Sequence, residues 1–203
     1  MTKIAIATPP FLRDFEFAFD QKIGVIGTYD FKEKRDYYNW HTLDQANLVI
    51  FSGGEDINPE IYGQANKYSH YSEKRDRLEI QIISMCLETN KKMLGVCRGH
   101  QFINAYLGGS LAQDLFRDLR IFHEHDHILE GLNRNSLTPN FFNQVNSLHH
   151  QGVIKPGKDL IPTSYYRGVI ESCENDNIIT VQFHPEFMKA EKFFSYLKEW
   201  ANV

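Results

Sequence analysis

A cysteine held between two glycines is the first feature of the sequence that could do chemistry. Residues 93–101 are Met-Leu-Gly-Val-Cys-Arg-Gly-His-Gln, where an apolar run ends at Gly95–Gly99 and an amphipathic stretch follows. This is the Gly-x-Cys-x-Gly counterpart of the Gly-x-Ser-x-Gly turn, in which a sharp strand-to-helix turn exposes a nucleophile. The following helix would present its N-terminus to the sulfur and favour the thiolate. An isolated cysteine is more often a small buried apolar residue, but this setting predicts Cys97 as a nucleophile.

A histidine and a carboxylate two residues apart occur late in the chain, where residues 178–186 are Ile-Ile-Thr-Val-Gln-Phe-His-Pro-Glu. On an extended strand, side chains at i and i+2 lie on the same side. His184 and Glu186 are therefore expected together at the carboxyl end of a strand, with Pro185 ending the ladder. A thiolate needs a histidine partner and usually a third group that orients the imidazole. The pattern predicts Cys97, His184 and Glu186 as a catalytic set.

The elements that must position these residues alternate along the chain. Short apolar runs predict strands over residues 3–8, 22–27, 48–52, 93–97, 169–172 and 178–184. Helical periodicity predicts helices over residues 75–88, from just after Cys97 to about residue 107, and over 190–201. Turn-forming residues 174–177 predict a hairpin between the last two strands. Residues 9–47 and 117–145 fit the pattern least and are expected to be loops or small added elements. This order is typical of an α/β protein with a mostly parallel sheet.

Composition excludes several classes of function. The 22 basic and 26 acidic residues give a net charge of −4, which provides no electrostatic footprint for nucleic acid or an anionic membrane. No apolar run is long enough for a transmembrane helix, and the N-terminal residues do not resemble a secretory signal. With three cysteines and no such signal, we expect a cytoplasmic protein without disulfides. Cys86 lies in an apolar helical stripe and is expected to be packing, and Cys173 is assigned no role.

Taken in order, these motifs resemble those of the class I (triad) glutamine amidotransferases. The likeness is strongest to the γ-glutamyl hydrolase branch, the peptidase C26 type that includes γ-glutamyl-γ-aminobutyrate hydrolase. It spans about residues 48–187 and includes further motifs at residues 53–59, 62–63, 75–79, 108–114 and 145–151. The resemblance implies a flavodoxin-like α/β fold: a mostly parallel central sheet flanked by helices, with a small antiparallel addition. We expect residues 1–203 to form one such domain.

The resemblance also implies roles for further residues. The backbone N–H groups of Gly54 and Arg98 would form an oxyanion hole, and Gln101 would help to hold the α-amino and α-carboxylate groups of a glutamyl substrate. The loop that borders the glutamyl pocket in relatives corresponds to residues 146–151 here. Its candidate substrate contacts are Asn146, Ser147, His149 and His150.

The implied activity is hydrolysis of a γ-glutamyl amide through a γ-glutamyl thioester, and three interpretations remain open. The first is an enzyme that acts alone on a γ-glutamylated amine, peptide or nucleotide-linked amidate. The second is a glutaminase subunit that delivers ammonia to a synthase on a separate chain. The third, a non-catalytic relative, is disfavoured because Cys97, His184 and Glu186 are all present. A small-molecule substrate is expected, with no nucleic acid or membrane partner and, outside the second interpretation, no synthase partner.

Two regions concern metal binding and substrate choice. Residues 123–127, His-Glu-His-Asp-His, could bind a transition metal, but the sequence places no further ligand, so no metal and no cofactor are expected. The segment 9–47 looks shortened, and Arg167 stands where the family branch usually has aspartate. These departures bear on the leaving group rather than on the acyl chemistry. The aromatic residues of 9–47 are expected to cover the core, with stacking on a substrate ring as the alternative.

Overall fold

The computed structural model describes residues 3–30, 32–122, 126–131, 133 and 141–203. Its helices are α1 (Leu12–Phe19), α2 (Trp40–Gln45), α3 (Glu73–Glu88), α4 (Arg98–Tyr106), α5 (Leu115–Leu119) and α6 (Glu191–Ala201). The first strands are β1 (Ile4–Ile6), β2 (Gly24–Val25), β3 (Gly27–Asp30), β4 (Arg35–Tyr38), β5 (Leu48–Phe51), β6 (Lys92–Val96) and β7 (Ser110–Ala112). The later strands are β8 (Asp126–Ile128), β9 (Gln144–Asn146), β10 (Gly152–Lys155), β11 (Ile161–Tyr166), β12 (Val169–Glu174) and β13 (Ile178–Val181). Short 3₁₀ turns span Pro59–Tyr62 and Pro185–Phe187.

The central sheet has nine strands within the described residues, in the order β2-β1-β5-β6-β13-β12-β10-β7, with β11 also paired to β12. The neighbours from β2 to β13 are parallel, whereas β12, β10, β7 and β11 add antiparallel pairings. The strands β3–β4 and β8–β9 form two small antiparallel ribbons. These findings confirm the predicted α/β fold class and the hairpin between β12 and β13. The parallel strands β1, β5, β6 and β13 all end at one edge, which brings their following turns together.

Helices cover both faces of this sheet. Alternate residues of a strand point to opposite faces, so Val49 and Phe51 pack on one side while Leu48 and Ile50 pack on the other. The helices α3 and α4 contribute apolar side chains to the first face, and α1 and α6 contribute them to the second. Burial on both faces explains why these strands are continuous apolar runs rather than alternating ones.

The segment 9–47 forms small added elements, one of the two arrangements that the sequence predicts for it. It contains α1, whose Phe15 and Phe19 are fully buried against α6. Each such side chain contributes about 2–3 kcal/mol of burial free energy. The predicted strand over residues 22–27 is wrong in part, because β2 ends at Val25 and β3 leaves the central sheet to pair with β4. An eight-residue helix with only two buried aromatic residues gives too short a periodic pattern to be recognised.

No helix in the described part of the chain combines the length and apolar character that crossing a membrane requires.

Candidate active site

Cys97 occupies the predicted sharp turn between β6 and α4. Its backbone has φ 52° and ψ −105°, a conformation that L-residues rarely adopt and that persists only where surrounding structure enforces it. The close approach requires Gly99, because a Cβ there would lie 1.9 Å from the carbonyl oxygen of Phe51. The Cys97 N–H donates to the carbonyl of Val181 at 2.8 Å, which ties the turn to the end of β13. The thiol is therefore held at the sheet edge next to the segment that carries the candidate histidine.

His184 and Glu186 lie together, as predicted, but not on a strand. The strand β13 ends at Val181, and Pro185–Phe187 form a 3₁₀ turn, so the expected strand over residues 178–184 is too long. The turn folds Glu186 back so that its Oε1 lies 2.7 Å from His184 Nδ1, with both side chains buried. A proline at the start of a 3₁₀ turn has the required φ and loses no needed donor, which explains why the chain changes direction there.

The acid–base behaviour of His184 reflects three influences. Burial lowers its pKa, but side-chain hydrogen bonds to Cys97 and Glu186, together with their charges, outweigh burial and raise the pKa to about 10. The imidazole is therefore protonated at neutral pH and lies beside the sulfur. The fold thus brings together Cys97, His184 and Glu186 from two separate strand ends.

Asn146 clamps the backbone of His184. Its Oδ1 accepts a hydrogen bond from the His184 N–H at 2.8 Å, and its Nδ2 donates to the His184 carbonyl at 2.9 Å. The family resemblance predicts Asn146 as a substrate contact, whereas its side chain is engaged in holding the histidine. Only the approach of β9 to the end of β13 in space reveals this role.

Two phenylalanines flank the imidazole. The Phe187 ring lies nearly parallel to that of His184, with centroids 5.3 Å apart, and the Phe11 ring approaches edge-on at 5.7 Å. Phe187 is 46% exposed. The aromatic ring of Phe11 belongs to the segment 9–47, so part of that segment contributes to the site and does more than cover the core.

The candidate oxyanion donors lie on two adjacent turns. Gly54 follows β5 and has φ 144°, in the region that favours glycine, and a Cβ there would lie 2.1 Å from Arg75 Nη1. Arg98 is the first residue of α4, and N–H groups in the first turn of a helix have no partner within the helix. The turns that carry these two peptide groups follow β5 and β6, which are paired in parallel and end at the same edge of the sheet.

A buried ionic network lies behind these turns. Glu79 Oε1 accepts from Thr8 Oγ1 at 2.6 Å and from Arg75 Nε at 3.0 Å, while its Oε2 accepts from Arg98 Nη1. Arg98 Nη2 also donates to Asp76 Oδ1 at 2.5 Å. Burial alone would raise the pKa of Glu79, but the two arginines and Thr8 hold it below its usual value. In the sequence, Arg75, Asp76 and Glu79 stand out only as part of a family-like motif. The signal for the network is that these three charged residues share one face of a helix that is otherwise apolar there.

The predicted substrate contacts have varied surroundings. Gln101 is buried, and its Nε2 donates to the carbonyl of Gln151 at 3.2 Å and to Gln182 Oε1 at 3.1 Å. Ser147 is buried, and His149 Nδ1 lies 2.7 Å from the carbonyl of Gln151.

His150, by contrast, is half exposed and contacts the loop that follows β5, which contains Gly53 and Gly54. Its Nε2 lies 2.9 Å from Asp56 Oδ1, and this hydrogen bond raises the pKa of His150. The Asp56–His150 contact thus joins the loop after β5 to the loop after β9.

The other cysteines and histidines lie elsewhere. Burial raises the pKa of Cys86 and of Cys173 to about 12, so both thiols stay neutral and match the packing role expected of Cys86. Of the histidine-rich stretch 123–127, residues 123–125 lie outside the described residues, and His127 is buried 3.5 Å from Glu171. Among the residues that the structure describes, no three metal-binding side chains converge.

Comparison with known proteins gives consistent results. The family described as Peptidase C26 matches residues 31–186. A putative glutamine amidotransferase-like protein, YvdE of Lactococcus lactis, is 34% identical over 165 residues, which cover 73% of this chain and 68% of the relative. A gamma-glutamyl-CDP-amidate hydrolase of Campylobacter jejuni is 29% identical over 163 residues, covering 76% of this chain and 70% of the relative.

Solved structures share the fold at low sequence identity. A glutamine amidotransferase from Thermotoga maritima has a TM-score of 0.64 and 15% identity, covering 98% of this chain and 84% of the other. A putative GMP synthase subunit from Thermoplasma acidophilum has a TM-score of 0.65 and 17% identity, covering 100% of this chain and 93% of the other.

Proposed function

Because this chain belongs to the peptidase C26 family, within the class I glutamine amidotransferase superfamily, we propose that it is a cysteine-dependent hydrolase of γ-glutamyl amide bonds. The observation that carries the proposal is the meeting of Cys97, His184 and Glu186 at one sheet edge. A protonated imidazole beside the sulfur favours a thiolate–imidazolium pair, which is the reactive form of a cysteine nucleophile.

In the first half of the reaction, the Cys97 thiolate attacks the γ-carbonyl carbon of the bound substrate. The carbonyl oxygen becomes negatively charged, and the N–H groups of Gly54 and Arg98 donate hydrogen bonds to it. The His184 imidazolium then gives its proton to the leaving nitrogen, the C–N bond breaks, and the amine departs. A γ-glutamyl thioester on Cys97 remains, with His184 neutral.

In the second half, neutral His184 takes a proton from water as the water oxygen attacks the thioester carbonyl. The same two N–H groups stabilise the second tetrahedral intermediate. Its collapse breaks the C–S bond, releases glutamate, and restores the thiolate beside the imidazolium. Glu186 keeps the imidazole in the required orientation and stabilises its charged form in both halves.

The surroundings of His184 bear on the leaving group. The leaving nitrogen must lie beside the imidazole, so the group attached to it passes the rings of Phe11 and Phe187. The Campylobacter relative is named for an amidate of CDP, which supports including nucleotide-linked amidates among the candidate substrates, beside γ-glutamylated amines and peptides.

The alternative is a glutaminase that delivers ammonia to a synthase on another chain. The similarity of fold to a putative GMP synthase subunit makes this a second candidate. It differs from the first in its substrate, free glutamine, and in its requirement for a partner.

Both candidates are tested by assaying purified protein with free glutamine, γ-glutamyl-p-nitroanilide, γ-glutamyl peptides and a γ-glutamyl nucleotide amidate. We expect turnover of at least one γ-glutamyl amide without a partner, and its loss in Cys97→Ala with unchanged circular dichroism. Cys173→Ala is the matched control and should retain activity. Substantial activity in Cys97→Ala would refute the mechanism, and strong glutamine turnover only with an added synthase would favour the alternative.

A further inference from the structure

Glu79 contacts both halves of the candidate oxyanion hole through two different arginines. Building on the proposed function, we propose that Glu79 is a positioning residue that keeps the N–H groups of Gly54 and Arg98 aligned on one oxygen. Glu79 is fully buried in α3 and lies behind the site. It acts through its neighbours and has no contact with substrate.

The first half of the oxyanion hole depends on Arg75. Its Nη2 donates to the Ser52 carbonyl at 3.0 Å, and its Nη1 donates to Glu55 at 3.1 Å. The guanidinium therefore binds the loop at Ser52 and Glu55, one on each side of Gly54, and packs against that glycine. Because Glu79 Oε1 holds Arg75 Nε, displacement of the carboxylate would release the loop that carries the Gly54 N–H.

The second half depends on Arg98, whose backbone N–H is the other candidate donor. Its side chain is buried and binds Glu79 and Asp76 through separate nitrogens. This anchors the first turn of α4 from behind the nucleophile. Without Glu79, the Arg98 guanidinium would keep Asp76 but leave its buried Nη1 without an acceptor, which is costly and favours a different position of the side chain.

Glu79 is the residue that couples the two halves. Asp76 contacts only Arg98 of the two arginines, and Thr8 contacts Arg75 and Glu79 but not Arg98. Glu79 alone, within the described residues, accepts from both guanidinium groups, one on each oxygen. A glutamine in its place would turn one acceptor into a donor facing an arginine, so the link between the two halves of the hole would be broken.

The test separates acyl transfer from simple reactivity of the thiol. In Glu79→Gln, kcat for γ-glutamyl-p-nitroanilide should fall about 100-fold, as when one oxyanion donor is lost, with KM within about threefold. Alkylation of Cys97 by iodoacetamide should keep its rate within about threefold, because displacement of iodide by the thiolate forms no oxyanion. The matched control is Arg77→Gln, which removes an exposed ion pair with Asp36 from the same helix and should leave both rates unchanged.

The outcomes are distinguishable. If kcat in Glu79→Gln stays within threefold of the native protein, or if alkylation slows in parallel with kcat, Glu79 does not act through the oxyanion hole. Should that variant fail to fold, Glu79→Asp keeps the buried charge but is one methylene group shorter, so its carboxylate cannot hold both guanidinium groups. A selective fall in its kcat supports the proposal, and an unchanged kcat overturns it. If the native protein hydrolyses no γ-glutamyl amide, the proposed function fails first and the role of Glu79 falls with it.

Discussion

The imidazole of His184 is buried, yet its pKa is raised to about 10 because Cys97 and Glu186 stabilise its charged form. The ordinary value is near 6.5, so the protonated ring favours the folded state fully below about pH 6.5. That contribution is lost as the pH rises through about 10. For catalysis, the same rise keeps a proton available for the leaving nitrogen across the physiological range.

We therefore expect hydrolysis of γ-glutamyl-p-nitroanilide to decline as the pH rises through about 10, where His184 loses its proton. In Glu186→Gln, loss of the neighbouring negative charge should move this alkaline limb about 1–3 pH units lower. The measurement is a profile of kcat against pH, with circular dichroism to verify folding at each pH.

The control for that profile is Glu191→Gln, which removes an exposed carboxylate from the first turn of α6 and should leave the limb in place. If kcat declines at the same alkaline pH in Glu186→Gln as in the native protein, Glu186 is not the partner that stabilises the imidazolium.

The turn from β6 to α4 is determined by backbone packing. Gly99 lies so close to β5 that its missing side chain is a geometric requirement, since a Cβ would overlap the Phe51 carbonyl. This sharp turn at Cys97, called the elbow below, therefore depends on two elements at once. They are the helix that follows Cys97 and the neighbouring strand against which this helix begins.

Gly99→Ala is expected to destabilise the protein by about 3 kcal/mol or more, because the clash is with backbone that cannot move aside. The matched control is Gly108→Ala: Gly108 has φ 82°, and a Cβ added there would meet no atom within 4 Å, so only backbone strain of about 1–2 kcal/mol applies. Urea denaturation of both variants gives the comparison. An equal loss of unfolding free energy in the two variants would show that the close approach of Gly99 to Phe51 does not determine stability.

The two rings beside the imidazole come from distant parts of the chain. Phe11 follows β1 and Phe187 follows β13, and they lie 5.8 Å apart at the sheet edge. The parallel order of the central strands brings these turns together, so the environment of the leaving group is a property of the assembled fold.

Phe187→Ala should raise KM for γ-glutamyl-p-nitroanilide about fivefold, in line with the roughly 1 kcal/mol typical of an aromatic contact. KM for glutamine should not change, because ammonia is too small to reach the ring. Phe122→Ala, which removes another exposed phenylalanine, is the control. Equal effects on both substrates would argue against contact between Phe187 and the leaving group.

The sequence by itself determined the α/β alternation, the hairpin between β12 and β13 and the elbow at Cys97, because each is encoded by neighbouring residues. A glycine pair around a cysteine and a turn cluster between two apolar runs act over a few positions. The pairing of His184 with Glu186 was also predictable from their spacing, although a 3₁₀ turn rather than a strand produces it.

Only the tertiary structure decided what supports those groups. Asn146 lies 38 residues from His184, and Thr8 lies 71 residues from Glu79; no local pattern relates such pairs. The helix α1 was missed because its two buried phenylalanines make one short turn of periodicity. Contacts of this kind arise when parallel strands, distant in sequence, end at one edge of a sheet, where burial requires every charge to find a partner.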